Sequence, residues 1–249
     1  MSDVFLSIII PAFDEEARIG ASLEQVRDYL ARQDYTSEVV VVDDGSSDNT
    51  AAIARRVEGD RPRVRLISTE HRGKGHAVKT GMLEARGEFR FLCDADLAMP
   101  IEQVSRFIPP QLEGVDVAVG SREAPGARRF EEPAYRHVMG RVYNAFVRVL
   151  AIPDISDTQA GFKCFRSGAA QCLFSQQRLD GFGFDVEILF LAHRSGLRIA
   201  EVPIDWYHQR ESKVRPVRDT VAMLREAFQV RWNQCRGRYP REGAEESGG

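Results

Sequence analysis

Several things are scarce in this chain of 249 residues, and each shortage excludes a class of protein. No run approaches the ~20 consecutive apolar residues of a membrane-spanning helix, so any membrane contact is expected to be peripheral. Met1-Ser2-Asp3 has no basic segment and the apolar run Val4–Ile10 is short, so no signal peptide is expected. The four cysteines (Cys93, Cys164, Cys172, Cys235) follow neither metal-ligand spacing nor a disulfide framework. Cys93 and Cys164 sit in apolar runs and read as small core residues, in keeping with a reducing, cytoplasmic compartment. There is no basic excess. A net charge of -3 argues against general nucleic-acid binding, which draws its affinity from neutralised phosphates. The five histidines form no triad with cysteine or serine, and His76 and His208 read as loop residues. No G-x-G-x-x-G follows the first apolar run, which weighs against a dinucleotide-dependent dehydrogenase. What remains, 43 % hydrophobic and 29 % charged, is the composition of an ordinary globular protein with enough chain for a sizeable core.

The first half alternates two periodicities. Apolar runs at Leu6–Pro11, Val39–Val42, Val64–Ile67, Phe89–Cys93 and Val115–Val119 read as strands. Between them, Ala17–Leu30 carries Ile19, Leu23, Val26 and Leu30 at helical spacing, and helices are expected near Asn49–Val57 and His76–Ala85. Continuous apolar strands joined by helices predict an α/β fold with a mostly parallel central sheet, covered by helices on both faces. Ligands in such folds bind beyond the carboxyl ends of the strands. The loops there, Pro11–Glu16, Asp43–Asp48, Glu70–Gly75 and Asp94–Pro100, collect acidic residues and glycines. Two basic amphipathic helices are expected in the second half, at Ala134–Leu150 and Pro216–Gln234; each either packs on the sheet or lies on an anionic membrane surface. A single domain over residues 1–236 and a disordered tail over 237–249 complete the expected organisation.

The densest chemistry lies in Phe91-Leu92-Cys93-Asp94-Ala95-Asp96. It reads as a buried strand ending in two carboxylates one residue apart, which strand alternation turns the same way. Two hard oxygen ligands at one strand tip suit Mg²⁺ or Mn²⁺, with substrate phosphates and water completing the shell. An acidic turn is the plainer alternative.

The ordered set Pro11-Ala12-Phe13-Asp14-Glu15-Glu16, Val42-Asp43-Asp44-Gly45-Ser46-Ser47-Asp48, Arg72-Gly73-Lys74-Gly75 and Asp94-Ala95-Asp96 resembles the inverting family 2 glycosyltransferases, whose fold is the Rossmann-like GT-A type. Within that family, Asp157-Thr158-Gln159-Ala160-Gly161-Phe162-Lys163-Cys164-Phe165, Phe184-Asp185-Val186-Glu187 and Glu211-Ser212-Lys213 resemble the dolichyl-phosphate glucosyltransferase branch. The likeness runs from about residue 6 to 230. It implies metal-dependent, inverting transfer of glucose from UDP-glucose to a polyprenyl phosphate, at the cytoplasmic face of a membrane. Polyprenyl-phosphate mannosyl transfer from GDP-mannose and a catalytically inactive nucleotide-sugar-binding protein are the alternatives.

For the donor, the resemblance implicates Pro11, Ala12, Phe13, Glu15, Asp43, Asp44, Lys74, Asp94 and Gln159, with Glu15 and Asp43 accepting from ribose hydroxyls or a uracil N–H. Asp44 either serves that pocket or caps the next helix, a role expected of Ser47 and Asp48. Asp96 is the implied direct metal ligand, with Asp94 reaching the ribose or the metal. One departure stands out: a position that often holds Gln in related mannosyltransferases is Ala98 here. On the acceptor side, a phosphate with a second pKa of about 6 is already ionised at neutral pH and needs cations more than a general base. The candidates are Arg122, Arg136, Arg210 and Lys213, the last in an expected mobile loop. Asp157 is either a base for a hydroxyl acceptor or a partner of the donor sugar. Asp96, Asp157, Arg122 and Lys213 are the expected catalytic group. Asp185 and Glu187 open a helix, where acids suit the dipole, and a structural and a functional role are equally open for them.

Overall fold

The structure is a computed structural model that describes residues 4–57, 59–60, 62–131, 133, 140, 152, 155–208 and 216–239. A strand covered on both faces is apolar along most of its length, and β1 (Leu6–Ala12) is buried at all seven positions. Then follow α1 (Ile19–Leu30), β2 (Ser37–Asp43), α2 (Thr50–Arg56), β3 (Gly59–Asp60), β4 (Arg63–Ser68), α3 (Lys74–Glu84), β5 (Phe89–Cys93), a 3-10 helix (Ile101–Phe107), β6 (Val117–Ser121) and β7 (Arg128–Phe130). The rest is β8 (Phe162–Arg166), α4 (Ser167–Gln176), α5 (Phe184–Arg194), β9 (Ile199–Pro203), β10 (Asp205–Tyr207) and α6 (Pro216–Cys235).

The main sheet has eight strands in the order β3-β4-β2-β1-β5-β8-β6-β9, and β7 and β10 pair separately. β4, β2, β1 and β5 run parallel, as do β6 and β9. β8 runs against both of its neighbours, and β3 against β4. The mostly parallel α/β sheet expected from the apolar runs is thus present. Reversal of β8 has one consequence for chemistry: its amino end, not its carboxyl end, reaches the edge where β1, β2, β5 and β6 finish. Cys93 faces Phe162 in that register, so the segments after β5 and before β8 meet there.

Alternation along β1 splits the interior into two cores. Ile9 joins α3 residues Ala77, Val78 and Met82 on one face, with Leu173 and Phe184. Ile8 and Ile10 join Ile19, Leu23 and Val26 of α1 and Val104 and Phe107 of the 3-10 helix on the other. Cys93 and Cys164 are buried core residues, as expected. The expected helix at Pro216–Gln234 is α6; the one at Ala134–Leu150 falls almost wholly outside the described residues. His76 is a correction, lying in the first turn of α3 and not in a loop. The tail expected from residue 237 also starts too early. Tyr239 is buried, its hydroxyl donating to Glu187 Oε1 at 2.6 Å, because an aromatic ring amid charged residues finds a core slot that composition does not reveal.

α3 lies close on the sheet because Gly81 has no side chain. A Cβ there would stand 2.4 Å from Ile9 Cγ2 and 3.0 Å from Val42 Cγ2. Gly81→Ala adds helix propensity of ~1 kcal/mol but overpacks a β-branched contact, which costs about 1–3 kcal/mol. The expected result is a net loss of stability, read as a lower urea midpoint at unchanged slope.

Candidate active site

The Asp94–Asp96 turn leaves β5 tightly. Leu97 sits at φ +45°, a left-handed conformation that bulky residues avoid and that marks stored strain. Backbone groups hold it there: Leu97 N donates to Asp94 O at 3.2 Å, and Ala98 N donates to Asp96 Oδ1 at 3.0 Å. From α1, Ser22 Oγ donates to Ala95 O at 2.6 Å. Ala98 itself is buried and brings no polar side chain to the turn. Beneath Asp94 lies Gly161, where a Cβ would fall 1.9 Å from Asp94 Oδ2.

Charge is arranged around this turn in alternating sign. Lys74 Nζ, from the start of α3, lies 2.7 Å from Asp94 Oδ1. Lys163 on β8, with only 1 % of its side chain exposed, places Nζ 2.6 Å from both Asp185 Oδ1 and Ala160 O. Burial pushes Asp185 up, past the opposing pull of Lys163 and Lys74. Burial also pushes Asp96 up, and the neighbouring Asp94 charge adds to it. The Lys74 ammonium would be lowered by burial, but Asp94 and Asp185 outweigh that and raise it. Two carboxylates at one strand tip, one of them driven toward its neutral form by enclosure and a like charge, match a divalent cation's hard oxygen donor set. Among the described residues, no group of three or more His, Cys, Asp or Glu side chains could hold a metal ion, so phosphate oxygens and water would complete the shell.

A second cluster occupies the same edge, between the end of β6 and the approach to β8. Arg122 forks onto the fully buried Asp157, with Nε 2.7 Å from Oδ2 and Nη2 2.9 Å from Oδ1. Arg122 N and Gln159 N also donate to that carboxylate, at 3.0 and 3.2 Å. Burial alone would raise Asp157, but the Arg122 guanidinium and these N–H groups hold it well below the usual carboxylate range. The guanidinium carbon lies 5.5 Å from the Trp206 ring centroid. Gln159 Nε2 is buried and has no hydrogen-bond partner among the described residues.

The comparisons with known proteins bear on this edge. The sequence model of glycosyl transferase family 2 matches residues 7–174. The chain belongs to this family. It is similar, at 33 % identity over 227 residues, to a dolichyl-phosphate beta-glucosyltransferase of Trichomonas vaginalis, covering 86 % of this chain and 67 % of that one. The Drosophila melanogaster dolichyl-phosphate beta-glucosyltransferase is also 33 % identical, over 245 residues, covering 90 % of this chain and 74 % of that one. Among solved structures, glucosyl-3-phosphoglycerate synthase from Mycobacterium tuberculosis in complex with Mn²⁺, UDP and product superposes with TM-score 0.65 at 22 % identity, over 96 % of this chain and 82 % of that one. That likeness is of fold, and the fold is GT-A.

The glycosyltransferase places its other sequence-expected residues as follows. Pro11 and Ala12 are buried in β1, and Ala12 O accepts from Asp44 N at 2.9 Å. Phe13 stacks on His71 at 4.1 Å between centroids. Glu15 pairs with Arg18 at 2.5 Å, and its N–H donates to Thr50 Oγ1 at 2.6 Å. Asp43 Oδ1 accepts from Ser46 N at 3.3 Å. Asp44 directs both oxygens at the next loop: Arg72 N donates to Oδ1 at 3.1 Å, Gly73 N to Oδ2 at 2.8 Å, and His71 Nδ1 lies 2.9 Å from Oδ2. The N-cap position of α2 is Asn49, not Ser47 or Asp48; Asp48 Oδ1, one residue earlier, accepts from Thr50 N at 2.9 Å. Glu187 accepts from Arg178 N and Leu179 N, at 3.0 and 2.9 Å, and so braces a loop. Arg136, Arg210 and Lys213 lie outside the described residues. Sequence reasoning missed Lys163 as a site residue, because a lysine inside Gly161–Phe165 reads as strand filler. It also missed His71 and Trp206.

Asp157→Asn is expected to strand Arg122, at a cost on the order of 3–5 kcal/mol at neutral pH. Asp157 is ionised when folded well below its unfolded value of about 3.9. Its contribution is therefore full above that pH and is lost as pH falls. Urea titrations of wild type and variant should differ most near neutrality and converge below about pH 4.

Proposed function

We propose that this glycosyltransferase moves glucose from UDP-glucose, with inversion, onto a polyprenyl phosphate of the dolichyl type at the cytoplasmic face of a membrane. The observation that carries the reading is the Lys74–Asp94–Asp96 cluster at the sheet's ligand edge, where a fixed guanidinium at Arg122 follows β6. The similarity to dolichyl-phosphate beta-glucosyltransferases over most of the chain supports a glucosyl donor and a dolichyl-type acceptor. In this reading Asp96, with Asp94, would hold Mg²⁺ or Mn²⁺, which would supply positive charge beside the departing nucleoside diphosphate. Lys74 keeps Asp94 oriented and presents an ammonium to the diphosphate.

The reaction itself exchanges one C–O bond for another. An ionised oxygen of the acceptor phosphate attacks the anomeric carbon from the face opposite UDP, and the bond to the UDP oxygen breaks. An α-linked donor then yields a β-linked product. No proton has to leave the attacking oxygen, so no general base is needed. Asp157 suits that scheme as the residue that orients Arg122: with four donors on its carboxylate, it is arranged to stay ionised and not to accept a proton. Arg122 fixes the acceptor phosphate, together with Arg136, Arg210 and Lys213. Gln159 Nε2, a buried donor of the kind that calls for a partner, meets a donor-sugar oxygen. Glu15, Asp43 and the Phe13–His71 stack form the nucleoside side.

Asp96→Ala is expected to abolish turnover, by at least about a hundredfold, while far-ultraviolet circular dichroism and thermal unfolding stay as in wild type. Near-normal activity would sink the metal assignment. The decisive experiment offers radiolabelled UDP-glucose and GDP-mannose separately, with a short polyprenyl phosphate and Mg²⁺ or Mn²⁺. Label should enter the organic phase from UDP-glucose alone and be lost with EDTA. Transfer from GDP-mannose would overturn the donor. Binding of donor with no labelled lipid would overturn the acceptor.

A further inference from the structure

The second half of α6 carries a surface that the site does not use. Phe228 and Trp232 are 55 % and 57 % exposed, among the largest exposed apolar side chains described. They recur at helical spacing with the exposed Arg225, Gln229 and Cys235, so one stripe of the helix presents aromatic rings and cations together. The opposite stripe, Ala227 and Val230, is buried in the core, which fixes the rotation of the helix. Arg236 lies over the Trp232 ring at 4.6 Å, and Arg231 over Phe190 at 5.7 Å.

Charge on this surface has one sign. Residues 224–239 contain Arg225, Arg231, Arg236 and Arg238 and a single acid, Glu226. Glu226 is turned inward: its Oε2 accepts from Gly183 N at 2.6 Å, and it packs against Gly181 and Gly183. The exposed face is thus basic although the whole chain carries a net charge of -3. Exposed Trp and Phe, each able to sit at a polar–apolar boundary, flanked by arginines whose apolar stems run alongside, form the signature of a helix that lies in a lipid interface.

We infer that this face of α6, centred on Trp232 and Phe228 with Arg225 and Arg236 at its margin, docks the protein on an anionic lipid bilayer. A second copy of the chain fits less well, since a symmetric contact would bring four arginines against four with no exposed acid among residues 224–239 between them. Docking here deepens the lipid-acceptor reading, on which its purpose rests. Glu226 bonds the same loop (180–183) whose Asp180 pairs with Arg72 beside Lys74, so the lipid-facing helix is braced directly against the ligand edge.

The test uses the full chain with vesicles of phosphatidylcholine alone and of phosphatidylcholine with phosphatidylglycerol, both free of polyprenyl phosphate. Wild type should co-sediment with the anionic vesicles at least about tenfold better than with the neutral ones, and lose that preference in high salt. The double variant F228A/W232A, and separately R225Q/R236Q, should lose about tenfold or more of this binding. Both should retain wild-type thermal unfolding and wild-type transfer to a detergent-dispersed short polyprenyl phosphate. Wild type that ignores anionic vesicles, or variants that bind them as well as wild type, would overturn the docking surface whatever the transfer assay gives. So would a wild-type dimer in sedimentation velocity that F228A/W232A converts to monomer. Vesicle binding lost in the variants, alongside no labelling of lipid by wild type from any donor, would support the docking surface and overturn the lipid-acceptor reading alone.

Discussion

An ammonium enclosed as fully as that of Lys163 is tolerated only beside a counter-charge, and Asp185 supplies it from the first turn of α5. Removing either partner would leave the other buried and unpaired, so the two sides of that contact, β8 and α5, are obliged to stay together. The same ammonium holds Ala160 O and so fixes the bend into β8. That bend puts Gly161 beneath Asp94. Asp185 in turn supports the charge on Lys74, which holds Asp94 from the other side. The acidic turn after β5 is therefore positioned by one buried ion pair acting through three elements.

The remaining edge is tied together by its own loops. Asp14 accepts from Ser47 N at 2.8 Å and Glu16 from Asn49 N at 3.0 Å, which joins the segment after β1 to the one after β2. Asp44 then reaches the 71–73 turn, and Arg72 continues to Asp180, with Nη2 2.6 Å from Oδ2. Gly73, at φ +125°, lets that turn approach Asp180 O, where a Cβ would stand at 2.6 Å. Much acidity that the sequence displays at this edge is thus engaged with backbone N–H groups, holding loops in place before any ligand arrives. Such a site needs little reorganisation on binding, the condition under which fixed charges are most effective.

This explains what was legible in the amino-acid sequence and what was not. β1, β2 and β5 were legible because doubly covered parallel strands carry near-continuous apolar runs. The Asp94–Asp96 pair was legible because it ends such a strand. The insertion of β8 between β5 and β6 was not, since it depends on pairing Cys93 with Phe162 across a long intervening stretch. Lys163 stayed hidden for the same reason: its partner is on another element, and a lysine in a short apolar run carries no local mark. Asp157 could be singled out but not understood without Arg122, which lies 35 positions earlier. Asp44 showed its carboxylate but not its donors, Arg72 N and Gly73 N, which belong to the loop after a different strand.

Gly161 has no functional group, yet it governs how this glycosyltransferase can be re-engineered. Residues 157–162 line the edge where a designer would begin in seeking a new acceptor, and a saturation library would treat them alike. At 161 every replacement displaces the Asp94 carboxylate, whatever its polarity or size, so inactive clones from that position carry no information about substrate recognition. With glycine retained there and its neighbours varied, the pocket can be recut while the Asp94–Asp96 turn stays where it is.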